Sequence, residues 1–275
     1  MSEKMELRNR WERDGYLLAE GLFSEGEIER IKQHFMDWNA SDRKEDFDKV
    51  DPTGKDPLAQ FPRIIHPHRR DPLSLDFLLD PRLRQVMVQF LNEEPLAAQT
   101  MFYFKPPTAR GQALHQDQLY LRANPGTCLA AWLAVDDCDE ENGCLEIVPG
   151  SHELPLLCNI PADLSKSFTG GTVPLPEGYA AIPAKMRAGD VLFFHGNLIH
   201  GSGPNQSATR FRRSLIAHYI TSEASEAARF YHPLLRFDGS EVDLENAPAG
   251  GFCGELTPNG IEMVPTQHYE LEEPH

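Results

Sequence analysis

The tripeptide His115-Gln116-Asp117 carries the densest chemistry in the sequence. Side chains two apart on an extended strand share a face, so a strand over 115 to 121 would present His115 and Asp117 together as two metal ligands. A third ligand has to come from elsewhere. His200 is the candidate: the turn signal Gly189-Asp190 opens an apolar run, and His200 precedes Gly201-Ser202-Gly203-Pro204-Asn205. Two imidazoles and one carboxylate on one side of a metal, with the other side open, form the facial triad of non-haem Fe(II) oxygenases. Catalytic zinc uses a comparable three-ligand set with an open position, so a zinc-dependent hydrolase or isomerase is the competing chemistry. A His-x-Asp pair alone decides little in a chain with 11 histidines.

Arg212 and Arg213 add weight, because they open the apolar run Leu215-Ile216-Ala217-His218-Tyr219-Ile220. Strand alternation sends one guanidinium into the β structure and the other away from it. An inward guanidinium can grip a carboxylate bidentately. Charge balance favours a dicarboxylate: a ferrous ion and one arginine neutralise one aspartate and a doubly charged 2-oxoglutarate, which avoids burying net charge. The bland alternative is a pair of arginines in a surface salt-bridge network.

The elements that must hold these residues are legible in outline. Leu7 and Trp11 among charges suit a short amphipathic helix, and Ser24-Glu25-Gly26-Glu27 reads as a capping box opening a helix over about 25 to 38. That helix would place Ile28, Ile31, Phe35 and Trp38 on one face. Residues 40 to 60 read as a charged loop. Asp80-Pro81 opens another helix with Leu83, Val86, Val88 and Leu91 as its apolar set. From residue 97 the pattern changes to short strands, at 98 to 104, 115 to 121, 128 to 135, 144 to 148, 191 to 195 and 212 to 220. Strands at this spacing predict an all-β sandwich or barrel with the N-terminal helices packed outside it. Residues 152 to 188 and 221 to 275 read as irregular segments that form lids or edges.

Composition narrows the function classes. The chain has 275 residues, 40% of them hydrophobic, which is ample for a packed core and too much for a disordered chain. One domain over 1–275 is the expectation. Its 42 acidic against 26 basic side chains give a formal net charge of −16, which disfavours nucleic acid as a partner. No apolar run is long enough to span a bilayer and no secretory signal is evident, so no membrane association and a cytoplasmic location are expected. The five cysteines form no Cys-x-x-Cys pair, so reduced thiols are expected. No feature of the sequence assigns an oligomeric state.

Several segments together resemble the phytanoyl-CoA dioxygenase family: residues 100 to 107 (Thr-Met-Phe-Tyr-Phe-Lys-Pro-Pro), His115-Gln116-Asp117, Ala131-Trp132, residues 142 to 152, and His200 to Asn205. Their order and spacing match over about residues 12 to 220. The resemblance implies a double-stranded β-helix, or jelly roll, that binds Fe(II) and 2-oxoglutarate and uses O2 to hydroxylate an unactivated carbon of a small organic substrate, releasing succinate. It places His115, Asp117 and His200 on the iron ligands, and Met101, Gln116, Trp132, Ser202 and Arg212 on positions lining the co-substrate. Arg212 keeps the family spacing to the next strand, where His218 matches a family histidine, although the loop after His200 is one residue long. A family lysine upstream of the first strand has no direct counterpart, with Arg63 or His66 as stand-ins. Halogenating relatives replace the carboxylate by a small residue, and Asp117 is retained here, which favours a halide-free oxidation. A non-catalytic ligand-binding barrel that keeps the motifs for structure is the alternative outside enzymes.

Overall fold

A computed structural model describes residues 3–41 and 56–266. The N-terminal helices are α1 (Glu3–Asp14), α2 (Glu25–Ala40), α3 (Pro72–Leu78) and α4 (Pro81–Leu91), and a single turn, α5 (Gln118–Leu121), lies within the β region. The strands run β1 (Tyr16–Ala19), β2 (Ile64–Ile65), β3 (Leu96–Tyr103), β4 (Gln112–His115), β5 (Cys128–Ala134) and β6 (Leu145–Ile147). They continue with β7 (Ile160–Pro161), β8 (Gly171–Thr172), β9 (Ile182–Ala184), β10 (Val191–His195), β11 (His200–Ser202) and β12 (Ser214–Ile220). The last are β13 (Glu226–Ala227), β14 (Leu234–Leu235), β15 (Glu241–Val242), β16 (Glu245–Asn246), β17 (Phe252–Thr257) and β18 (Gly260–Pro265).

Two sheets form the core. The larger runs β1-β10-β5-β12-β3-β14-β15, with β2 added against β3, and the smaller runs β4-β11-β6-β9. All these ladders are antiparallel. The architecture is the double-stranded β-helix with flanking helices that the strand spacing and the family resemblance together predict.

The central strands of the large sheet are covered on both faces, which is why β5 and β12 read as almost unbroken apolar runs. Leu129, Ala131 and Leu133 of β5, Phe193 of β10, and Leu215, Ala217 and Tyr219 of β12 face a core built with the helices, among them Trp11, Ile31, Phe35, Leu83, Met87 and Phe90. The alternate residues Ala130, Trp132, Leu192, Phe194 and Ile216 face inward and pack with Leu145 and Ile147 of the small sheet. A one-residue slip would exchange these sets, so the helix layer locks the register that points Trp132 and His218 inward.

The capping box at Ser24 and Glu27 is present, and α2 buries Ile28, Ile31, Phe35 and Trp38. In α4 the buried set is Leu83, Met87 and Phe90 rather than the expected Leu83, Val86, Val88 and Leu91. Positions 83, 87 and 90 follow the helical repeat, whereas 86 and 88 lie on diverging faces. Of the loop expected at 40 to 60, residues 42–55 lie outside the described residues. The stretch after β6 is largely irregular, as expected, with only the short strands β7, β8 and β9, but the C-terminal stretch contains the six-residue strands β17 and β18, which pair as a hairpin. The expectation of reduced thiols holds for the buried Cys128, Cys138 and Cys144 and fails for Cys158 and Cys253, which form a disulfide. Those two lie 95 residues apart, and docking of the hairpin brings them together, so short cysteine spacings carry no sign of the bond.

Candidate metal centre

His115 is the last residue of β4 and His200 the first of β11, and the two are directly opposed in the antiparallel ladder. Their rings lie 4.1 Å apart. Asp117 arrives differently from the expectation. The strand predicted over 115 to 121 stops at His115, and Asp117 has helical dihedrals at the head of α5. Leaving the strand turns the chain toward the helical region, and this turn, not strand alternation, brings the carboxylate beside both imidazoles.

Tautomer and charge follow from the neighbours. Nδ1 of His115 lies 2.9 Å from the Ala113 carbonyl, and Nδ1 of His200 lies 3.0 Å from the Leu198 carbonyl. A carbonyl only accepts, so both Nδ1 atoms carry hydrogen, which leaves Nε2 as the atom each ring can offer to a metal. Those Nε2 atoms face Asp117, 3.5 Å from Oδ1 for His115 and 3.7 Å from Oδ2 for His200. One donor atom from each of the three residues falls within 4.8 Å of the others, the spread of a ligand set about one metal ion. Burial, then the nearby His200, pushes His115 down to about 4, so it stays neutral at physiological pH. Burial alone would raise the Asp117 carboxyl, but His200, His218 and His115 outweigh it and hold it ionised below the usual carboxylate range. His218 Nε2 donates to Asp117 Oδ2 at 3.1 Å and so fixes that carboxylate from behind. The Gln112 carboxamide nitrogen lies 3.1 Å from His115 Nε2 on the cavity side. Two imidazoles and an ionised carboxylate, aimed together and buried, fit a divalent transition metal.

The cavity beyond the three is lined by Met101, Tyr103, Gln112, Trp132, Leu145, Phe194, Ser202, Arg212, Ile216 and His218. Of the residues expected to line the co-substrate, Met101, Trp132, Ser202 and Arg212 are there. Gln116 is not. Its side chain points away between His115 and Asp117, donating to the Asn197 carbonyl at 2.9 Å and the Pro155 carbonyl at 3.2 Å and accepting from the Leu157 amide at 2.8 Å. It ties the 155–157 segment to the back of the site instead.

The two arginines divide as strand alternation requires. Arg213 forms a bidentate pair with Asp136 at 2.8 and 2.7 Å on the far side of the sheet. Arg212 is 3% exposed, lies over the Trp132 ring at 5.3 Å, and donates only to neutral acceptors: the Gly143 carbonyl and the hydroxyls of Ser214 and Ser202. Among the described residues no carboxylate pairs with it. Of the proposed lysine stand-ins, Arg63 reaches the cavity wall by donating to the Tyr103 hydroxyl at 2.9 Å, whereas His66 packs against Phe230 and does not line the cavity. Lys105, which sequence reasoning passed over inside Phe104-Lys105-Pro106-Pro107, is buried directly behind Arg212. Burial, then Arg212, pushes its ammonium well below its ordinary range.

Comparison with known proteins bears on these residues. The family model for phytanoyl-CoA dioxygenase (PhyH) matches residues 11–214. The chain belongs to the phytanoyl-CoA dioxygenase family. It is 31% identical over 160 residues to phytanoyl-CoA dioxygenase 1 of Oryza sativa subsp. japonica, covering 58% of this chain and spanning only 57% of that protein's length. It is 28% identical over 239 residues to the peroxisomal phytanoyl-CoA dioxygenase of Bos taurus, covering 78% of this chain and 68% of the other. Among solved structures, the non-heme alpha ketoglutarate dependent carbocyclase SnoK from nogalamycin biosynthesis superposes with a TM-score of 0.65 at 22% identity, covering 82% of this chain and 86% of the other. At that identity the likeness concerns the fold. The family match contains all three converging residues and Arg212. No helix among the described residues is long and apolar enough to cross a membrane.

Proposed function

We propose that residues 1–275 act as one Fe(II)- and 2-oxoglutarate-dependent oxygenase domain that oxidises a small organic molecule, most simply by hydroxylating an unactivated carbon. One observation carries this reading: the converging His115, Asp117 and His200 share a cavity with a buried arginine that no carboxylate among the described residues neutralises. In this reading the three residues hold iron, which supplies the means to activate O2 and decarboxylate the 2-oxo acid. Arg212 takes the distal carboxylate of 2-oxoglutarate, with Ser202 beside it, and Trp132 and Met101 form the apolar walls between. The protein's share is orientation, charge balance and exclusion of water. His218 holds Asp117 ionised and still, while Gln112 stands on the open side, where an organic substrate would approach.

A zinc hydrolase would use the same three ligands but gives no role to Arg212. Anaerobic titration of the metal-free chain with Fe(II) and then 2-oxoglutarate separates the readings. The expected result is a weak visible charge-transfer band that needs both additions, followed by succinate release when O2 and a suitable substrate are admitted. Retention of zinc with no band favours the hydrolase, and a band with no succinate across a broad substrate screen favours a binding protein. The segments around the entrance set which substrate is admitted.

A further inference from the structure

Lys105 is 3% exposed and holds a non-glycine backbone at φ +31°, a conformation that costs free energy. Its ammonium donates three hydrogen bonds, to Ser202 Oγ at 2.8 Å and to the carbonyls of Gly143 at 3.0 Å and Gly203 at 2.6 Å. Two of those acceptors also serve Arg212, whose Nε donates to the Gly143 carbonyl at 3.1 Å and whose terminal nitrogen lies 3.5 Å from Ser202 Oγ. The close fit leaves no room for another side chain: a Cβ on Gly143, itself at φ +73°, would lie 3.0 Å from Lys105 Nζ and 2.6 Å from the Gly203 oxygen. Lys105 does not line the cavity, so it acts from behind.

A serine hydroxyl has one hydrogen to give and two lone pairs to fill. Lys105 fills one lone pair, and the Gln112 amide, at 3.4 Å, competes with Arg212 for the other. The nearby carbonyls of Gly143 and Gly203 already receive the lysine. With its lone pairs taken, Ser202 has its own hydrogen left for the cavity it lines.

We propose that Lys105 is a positioning residue that turns Ser202 into a hydrogen-bond donor and sets Arg212 in register, so that together they receive the distal carboxylate of the co-substrate. This inference rests on the 2-oxoglutarate reading above. Without Lys105 the freed carbonyls would draw the serine hydrogen back, and the carboxylate would lose a donor.

The test is anaerobic titration of Fe(II)-loaded protein with 2-oxoglutarate and, separately, with pyruvate, which shares the chelating 2-oxo acid but lacks the distal carboxylate. The charge-transfer band reports binding without turnover. Lys105→Met is expected to weaken 2-oxoglutarate about tenfold to a hundredfold, the range for a hydrogen bond to a charged group, and to change pyruvate by less than about threefold. In a Ser202→Ala background the same lysine substitution should cost much less, since the two act through one hydroxyl. Equal losses for both acids, or additive losses in the double variant, overturn the proposal. Should Lys105→Met not fold, unchanged 2-oxoglutarate binding in Ser202→Ala overturns it, and a selective loss there with pyruvate unaffected supports it. If the unaltered chain gives no band, the co-substrate reading itself has failed, which is a distinct result.

Discussion

Each site histidine has one nitrogen committed to a backbone carbonyl two residues earlier, and that commitment decides what the other nitrogen can do. His218 acts differently, through Nε2, which donates to Asp117 Oδ2. Replacing His218 by Leu removes the donor that steadies the carboxylate, and metal affinity should fall about 10–100-fold, read by competition with a chelator. The fold should survive, because the side chain faces the cavity. The paired arginines give a second test at this scale. Arg212→Met should weaken 2-oxoglutarate binding by at least about thirtyfold, corresponding to about 2 kcal/mol or more for a charge-assisted contact in a buried site. Arg213→Met should leave that binding unchanged and instead destabilise the fold by about 1–3 kcal/mol, because Asp136 then loses its bidentate partner. The reverse pattern in titration and urea unfolding would mean that the strand register is wrong. Arg212 was legible in the sequence from its place before an alternating strand. Lys105 was not, because a lysine beside two prolines looks like a surface turn until Gly143 and Ser202, distant in sequence, close over it.

At the scale of elements, the capping box of α2 and the strands β5, β10 and β12 could be read from local pattern because each satisfies its own backbone or alternates against a fixed layer. The turn from β4 into α5 could not: His115-Gln116-Asp117 suits a continuing strand as well as a strand end, and only the contacts of Gln116 with the 155–157 segment decide between them. The hairpin of β17 and β18 was hidden for a related reason. Its docking depends on a bridge between Leu157 and Gly254, two hydrogen bonds through Cys158 and Gly254, and the Cys158–Cys253 disulfide, all of them long-range. Closing a loop of 95 residues, that bond should contribute about 2–4 kcal/mol. The double variant Cys158→Ser, Cys253→Ser should therefore show a lower urea midpoint and faster amide exchange in residues 252–265, with residues 128–134 still protected. Unchanged exchange in the hairpin would show that its apolar contacts hold it unaided.

For the molecule as a whole, a net charge of −16 and a set of buried neutral histidines pull in opposite directions as pH falls. His66 and His68 sit in the polar layer beside Gln99 and Thr100, each under a tenth exposed. Burial, then the adjacent Arg69, lowers His68 to about 4 and His66 to about 2. In the unfolded chain both would titrate near the ordinary imidazole value of 6.5. Between about pH 6.5 and pH 4 the unfolded chain thus binds protons that the folded chain refuses, and stability falls as pH falls through that window. Each such histidine contributes at most about 1.4 kcal/mol per pH unit. Glu27, lowered to about 2 chiefly by its hydrogen bond to Arg82, acts in the same direction below about pH 4.5, with a smaller effect because the pair is partly exposed. Neutralising the excess acidic charge opposes all of these, but that repulsion is spread over the surface and screened beyond about 8 Å at physiological salt. The buried groups should win. In about 0.15 M salt with a chelator present, so that metal release plays no part, the thermal midpoint should be highest near neutrality and drop steadily from pH 6.5 to pH 5. His68→Gln should flatten that slope, and a midpoint that holds level or rises over the same interval would show that surface repulsion governs instead.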